Sequence, residues 1–255
     1  NFSLGDIKQI YLKEGPDKAK VAHALLAQIE STLKAKGCLI MQHQYEEDEG
    51  GPPPFIEGFL MSHGFGLKSL RMARLHFDIF AFLPKWFLKE RPLPPGFSLD
   101  PWTNITEAEK MKLIRLQEQF TYHPFISPTD EEESLQPINS LALRYRGELI
   151  GWMVTHTLPY EPDRIRYSAF YVSPEYLNRG VAVPLLQKSI RLQQQSPLQW
   201  GYLLLNFGYT EKRWLRFIEA RIRPNAYRYQ YIWRLSKALA LPKRAEKSPE
   251  KGSSD

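Results

Sequence analysis

The chain has 255 residues, 43% apolar and 13% aromatic, enough to bury one large core or two small ones. Its single cysteine, Cys38, excludes an internal disulfide framework, and no Cys/His cluster has zinc spacing, so no metal is expected and a reducing, cytoplasmic setting fits. The formal charge of +6 invites a nucleic-acid reading, yet four of the basic residues (Lys243, Arg244, Lys247, Lys251) sit beside acids in a Ser, Pro and Lys tail and the rest are scattered.

In chain order, "IKQIYL" (7–12) reads as a strand and "KEGPD" (13–17) as a turn. Val21, Leu25, Ile29 and Leu33 recur every fourth residue, the stripe of a helix with one buried face over 18–36. "CLIMQHQY" (38–45) predicts a strand, "PFIEGFLMSHG" (54–64) a helix beyond an acidic and proline loop, and "LRMARLHFDIF" (70–80) another strand. "KERPLPPG" (89–96) has the proline density of a linker. After the strand "FSLDPW", Thr106 and Glu109 have capping-box spacing ahead of a helix with Leu113, Leu116 and Phe120 on one face. A loop holding "HPF" and a solvated "DEEE" (130–133) leads to two strands joined at "YRGEL". Then come strand 164–172, helix 181–195, strand "WGYLLLN" (200–206), helix 210–222 and strand 226–235. Within these, "RIRPNAYRYQYIWR" (221–234) alternates like a strand with a solvated basic face, so no nucleic-acid partner is expected.

The last five elements repeat the order of the first five at an offset of about 160 residues. Two related halves are expected: a partial lobe at 1–88, a linker at 89–96, a full domain at 97–238 and a disordered tail at 239–255. The expected fold is α/β (α+β), with a mixed, mostly antiparallel central sheet flanked by helices, built as a pseudo-tandem. No run of about 18 apolar residues or signal-peptide pattern appears, so no membrane partner is expected. The first residue is Asn, which fits an excised or processed chain, and the open sheet edge of the incomplete half leaves a homodimer open.

The stretch with most chemistry is "NRGVAVPLL" (178–186). A helix entered through Gly180 offers unpaired amides and the positive end of its dipole, a place for a phosphate. Arg179 adds a charge, Ala182 keeps the next turn clear, and Pro184 in the first turn loses no hydrogen bond.

With "ELIGWMV" (148–154), "YSAFYVSPEYLNRGVAVPLL" (167–186) and "EKRWLRFIEARI" (211–222), the chain resembles the GNAT superfamily of acyl-CoA N-acyltransferases, fully over 97–238 and partially over 1–82. The family's loop reads Q/R-x-x-G-x-G/A; here it reads Leu177, Asn178, Arg179, Gly180, Val181, Ala182, with Leu177 in the leading position. The resemblance implies one acetyl-CoA site, with Phe170, Tyr171 and Val172 along the pantetheine arm and amides from Asn178 to Val183 on the pyrophosphate. The first half has Gly15 and Pro16 but no such loop. Where the family carries a tyrosine acid in its fourth helix, this chain has Phe217, and Tyr209 stands nearby as a substitute. Candidates for a base are His156, Tyr167 and Glu161, with His123 bordering the acceptor pocket. The implied function is transfer of an acetyl group to a small-molecule or peptide amine by direct attack; the alternative is a catalytically silent CoA-binding or interaction module.

Overall fold

The computed structural model describes residues 3–8, 10, 15–119 and 121–239. Phe120, the predicted tail after residue 239, and residues 9 and 11–14 of the first predicted strand and turn lie outside the described residues. The elements are β1 (Leu4–Ile7), α1 (Lys18–Ala35), β2 (Ile40–Asp48), α2 (Phe55–Ser62), β3 (Gly66–Asp78), α3 (Lys85–Leu88), β4 (Phe97–Pro101) and α4 (Glu107–Glu118). They continue with β5 (Leu141–Tyr145), β6 (Glu148–His156), β7 (Arg164–Val172), α5 (Ala182–Gln194), β8 (Trp200–Asn206), α6 (Lys212–Phe217) and β9 (Arg228–Ala238). The result is a mixed, mostly antiparallel sheet flanked by helices. Among the described residues no helix is long and apolar enough to cross a membrane.

The chain divides into two compact units, and neither is continuous in sequence. Of the described residues, one takes in those up to 47, 51–70 and 232–239; the other takes in those in 48–50 and 71–231. Hydrogen bonding explains why this division differs from the sequential one drawn around 89–96. The C-terminal part of β3 is the antiparallel partner of β8, in register from Met72↔Asn206 to Asp78↔Trp200. The end of β9 supplies Leu235 to the core of the first unit.

In the first unit β1 and β2 pair in parallel, from Leu4↔Ile40 to Ile7↔His43. Leu26, Met41, Leu60 and Phe65 make its core. The face of α1 that packs there is Ala22, Leu26, Ile29 and Leu33, one step round from the predicted stripe, which leaves Val21 and Leu25 exposed at 55% and 39%. Small Ala22 lets the helix approach closely, and a helix has only one buried face, so the neighbouring line turns outward.

In the second unit β7 and β8 are parallel, while β3·β8, β6·β7, β5·β6 and β4·β5 are antiparallel. Apolar residues leave both faces of this sheet. One face buries Leu75, Phe77, Ile165 and Leu205 against Leu185 and Ile190 of α5. The other buries Ala142, Trp152 and Val154 against Leu113 of α4 and Trp102. Full burial of a side chain such as Leu185 stabilises the fold by ~2 kcal/mol. The β5–β6 hairpin turns through two left-handed residues, Arg146 (φ 51°) and Gly147 (φ 85°), as a tight hairpin requires. The predicted capping box forms: Thr106 Oγ1 accepts from the Glu109 amide at 3.2 Å, and the Thr106 amide donates to Glu109 Oε2 at 2.9 Å.

The stretch 221–234 is not a strand throughout. Arg221 and Ile222 close a π-helical turn that extends α6, Arg223–Asn225 is a 3₁₀ turn, and only then does β9 begin. Two of its four arginines are matched by acids: Arg223 pairs with Glu49 and Glu219, and Arg228 with Asp48 at 2.7 Å. The "DEEE" segment is likewise tied down rather than free, through Glu131 to Arg166 and Glu132 to Lys110.

Candidate functional site

The site begins where two parallel strands separate. The β7·β8 ladder runs from Arg164↔Trp200 to Tyr167↔Leu203 and stops there. On its other side β7 pairs Tyr167 with Thr155 and Ala169 with Val154, so Ser168 is an extra, unpaired residue. Such a bulge bends its strand and raises the local twist, which carries Phe170, Tyr171 and Val172 away from β8. Beyond the bulge Phe170 and Val172 pack toward α5. Tyr171 packs on the opposite face, its ring stacked on Trp152 at 4.5 Å.

The chain then crosses the open end of the fork through a 3₁₀ turn, Pro174–Arg179, into α5. Gly180 has φ 76° and ψ 15°, the left-handed conformation that L side chains resist, and nothing lies within 4 Å of where its Cβ would be. Val181 follows in the right-handed region with its side chain fully buried, an anchor for the loop. The first amide of α5 with a helical partner is that of Leu185, which donates to Val181 O at 3.2 Å. Pro184 has no N–H. The amides of Gly180, Val181, Ala182 and Val183 meet no acceptor among the described residues. Consecutive amides around a left-handed residue at a helix start form a concave anion seat. Leu177 is half-buried, whereas Asn178 and Arg179 are exposed.

Sequence reasoning missed the groups that brace this seat. Arg213 on α6 donates to Asn178 Oδ1 at 3.3 Å and to Leu177 O at 3.2 Å. Trp214 lies flat on Phe170 at 4.7 Å and on Phe217 at 4.9 Å. The aromatic run from Trp214 to Phe217 was visible in the sequence; its contact with β7 depends on how far the strands part. Phe217, in the place of the family's tyrosine, is thus a packed ring, also edge-on to Trp86 at 5.4 Å.

A cavity of about 600 Å³ runs inward from Gly180, Ala182 and Val183 along Phe170 and Val172. His123 and Tyr209, stacked at 3.6 Å, also line it. His123 Nδ1 accepts from the Phe125 amide at 3.0 Å, which puts the ring proton on Nε2. Tyr209 is 51% exposed.

The predicted bases fall in different settings. His156 is buried, its Nε2 donating to Asp130 O at 3.2 Å, so Nδ1 accepts from Ser168 Oγ at 2.7 Å. Burial, and then the nearby Arg166 guanidinium, lower its pKa and keep it neutral. Ser168 lines the cavity and also accepts from Arg166 Nε at 2.8 Å. Tyr167 is different: its buried hydroxyl donates to Gln193 Oε1 at 2.7 Å, and burial pushes its pKa up. Gln193 in turn donates to the Leu198 and Trp200 carbonyls, so this group pins α5 to β8. Glu161 accepts from the Tyr202 hydroxyl at 2.8 Å.

Residues 104–199 match the acetyltransferase (GNAT) family model. A comparison with curated protein sequences finds no match. Among solved structures the chain is similar to a tandem GNAT protein from the clavulanic acid biosynthesis pathway, with TM-score 0.68 and 10% identity over 94% of this chain and 77% of that one. It is also similar to a GCN5-related N-acetyltransferase from Sphaerobacter thermophilus, with TM-score 0.54 and 13% identity over 87% and 69% of the two chains. A third, from Kribbella flavida, gives TM-score 0.52 and 14% identity over 86% and 76%. The forked strands and the bulge at Ser168 fall in and beside the span 104–199 that matches the acetyltransferase (GNAT) family model, and the chain shares the fold of these GNAT structures.

Proposed function

We propose that the chain is an N-acyltransferase that takes its acyl group from a coenzyme A thioester, acetyl-CoA being the simplest donor, and passes it to an amine. The observation that supports this reading is the row of unpaired amides from Gly180 to Val183, opening on the cavity between the parted strands. These amides and the charge of Arg213 suit a pyrophosphate, and Phe170, Val172 and Trp214 suit the pantetheine arm.

In this reading the amine enters past His123 and Tyr209. Its nitrogen bonds to the thioester carbon, the C–S bond breaks, and the nitrogen loses one proton. Ser168 Oγ takes that proton as its own passes to His156 Nδ1, a relay already aligned by the Asp130 carbonyl on the far side of the ring. The departing thiolate takes a proton from Tyr209. Tyr167 acts as a structural post here, not a base, because its proton is committed to Gln193. The contiguous 97–238 domain remains our functional assignment, completed by β3, and 1–88 is the lobe without a phosphate loop.

Phe217 favours a second reading, a silent CoA-binding module, since it offers no proton where the family has a tyrosine. Thiol release measured with acetyl-CoA and a panel of amines, alongside calorimetry with CoA, separates the two. Turnover with any amine supports the enzyme. Micromolar binding with no turnover across the panel supports the silent module, and no binding rejects both.

A further inference from the structure

We infer that the acyl group this site is built for is an apolar chain well beyond acetyl, housed in the inner half of the cavity beneath α5. The inference rests on the acyl-CoA reading above and names its substrate class. It comes from how far the cavity continues past the place where a thioester would stop.

Two walls mark the distance. Along α5, Leu186 is one turn inward from Ala182 and Ile190 is two, ~12 Å down the axis at ~1.5 Å per residue. Both are buried and both line the cavity. Along the sheet, Phe77 pairs with Gly201, two residues behind Leu203, the last β8 residue joined to β7. The cavity therefore runs behind the closed end of the fork by ~7 Å at ~3.3 Å per residue. Ile79 and Phe82 continue that wall.

A thioester carbon within reach of Ser168 lies at the bulge, where the strands part. An acetyl group ends there. Beyond it the side chains of Phe77, Ile79, Phe82, Leu186, Ile190 and Leu203 carry no polar atom. The hydroxyl of Tyr167, which also lines the cavity, is already given to Gln193. Water in such a lining lacks the hydrogen-bond partners that would hold it, whereas an apolar chain gains from leaving water. The transfer step is unchanged: the amine nitrogen bonds to the acyl carbon, the C–S bond breaks, the amine's proton passes through Ser168 to His156, and CoA leaves as the thiol with a proton from Tyr209.

The test is calorimetry on the full chain with CoA, acetyl-CoA, butyryl-CoA, hexanoyl-CoA and octanoyl-CoA. Affinity is expected to climb along the series, at up to about fourfold per added methylene and at least about tenfold from acetyl to octanoyl. Two filling substitutions, Leu186→Phe and Ile190→Trp, are expected to erase that climb while CoA itself binds within about twofold of the parent; either serves if the other fails to fold by circular dichroism. Binding of CoA and acetyl-CoA with a flat or falling series overturns the chain-length inference and leaves the acyltransferase reading standing. A climb that survives in a folded filled variant overturns it too, because the chain is then held elsewhere. If no thioester binds, the underlying reading itself falls.

Discussion

Replacing Gly180 with glutamate isolates the phosphate seat from the rest of the fold. Open space surrounds the position, so the side chain meets no steric barrier, and the cost to stability is the left-handed backbone alone, ~1–2 kcal/mol. The electrostatic cost falls on the ligand. A carboxylate about 5 Å from one phosphate charge repels it by ~0.8 kcal/mol in bulk water and ~3 kcal/mol at the effective dielectric of a protein surface, which weakens binding by roughly fourfold to a few hundredfold. Gly180→Ala and Gly180→Asn separate the two effects: both carry backbone strain, neither carries charge, and both are expected to bind CoA within about threefold of the parent. Calorimetry at low and high salt reads the result, because the glutamate penalty shrinks as screening grows. A Gly180→Glu protein that melts cooperatively yet binds CoA as the parent does would refute the assignment of these amides to a diphosphate.

Other outcomes follow from contacts around the seat and the relay. Arg213→Met removes the brace on Asn178 and Leu177 together with its charge, and CoA affinity is expected to fall about tenfold by calorimetry. Ser168→Ala and His156→Gln should each lower kcat by ~100-fold or more while KM for the thioester stays close to the parent's; a change confined to KM would remove the relay from the mechanism. His76 and His156 are both lowered from an ordinary value of 6.5 by burial, so their contribution to stability is complete above that value. As pH falls below it, the unfolded chain binds protons the folded one refuses, and Tm is expected to drop before any carboxylate titrates. Glu109, held at about 2 by Arg144 against an ordinary 4.5, keeps its contribution above 4.5 and loses it on acidification toward 2. Glu109→Gln should flatten that lower part of the Tm profile and leave the part near pH 6 unchanged.

Local signals in the sequence carried a good deal of this. The capping box at Thr106 and Glu109, the turn at Arg146 and Gly147, and the helix entered at Gly180 are each set by residues within a few positions of one another. The side of α1 that packs was not legible, because Val21, Leu25, Ala22 and Leu26 are all apolar and their neighbours in space decide between two adjacent lines. Ser168 escaped notice since nothing in "YSAFYV" marks a bulge; only the pairing of Tyr167 and Ala169 with successive residues of β6 makes it the odd residue out. The partner of β8 was hidden for a related reason. β3 lies more than a hundred residues before β8 and outside the span 104–199 that matches the family, so no local pattern joins them.

That pairing has a bearing on how the protein can be taken apart. A cut at the proline-rich stretch would give a fragment of orderly length, yet it would strip β8 of the seven residues, Met72 to Asp78, that complete its hydrogen bonding. The bared edge would be a template for other chains, and the inner wall formed by Phe77 would go with the discarded piece. Expression of the second half by itself is therefore a recipe for aggregation, and the first unit cannot complete its core until Leu235 and Leu239 have been synthesised.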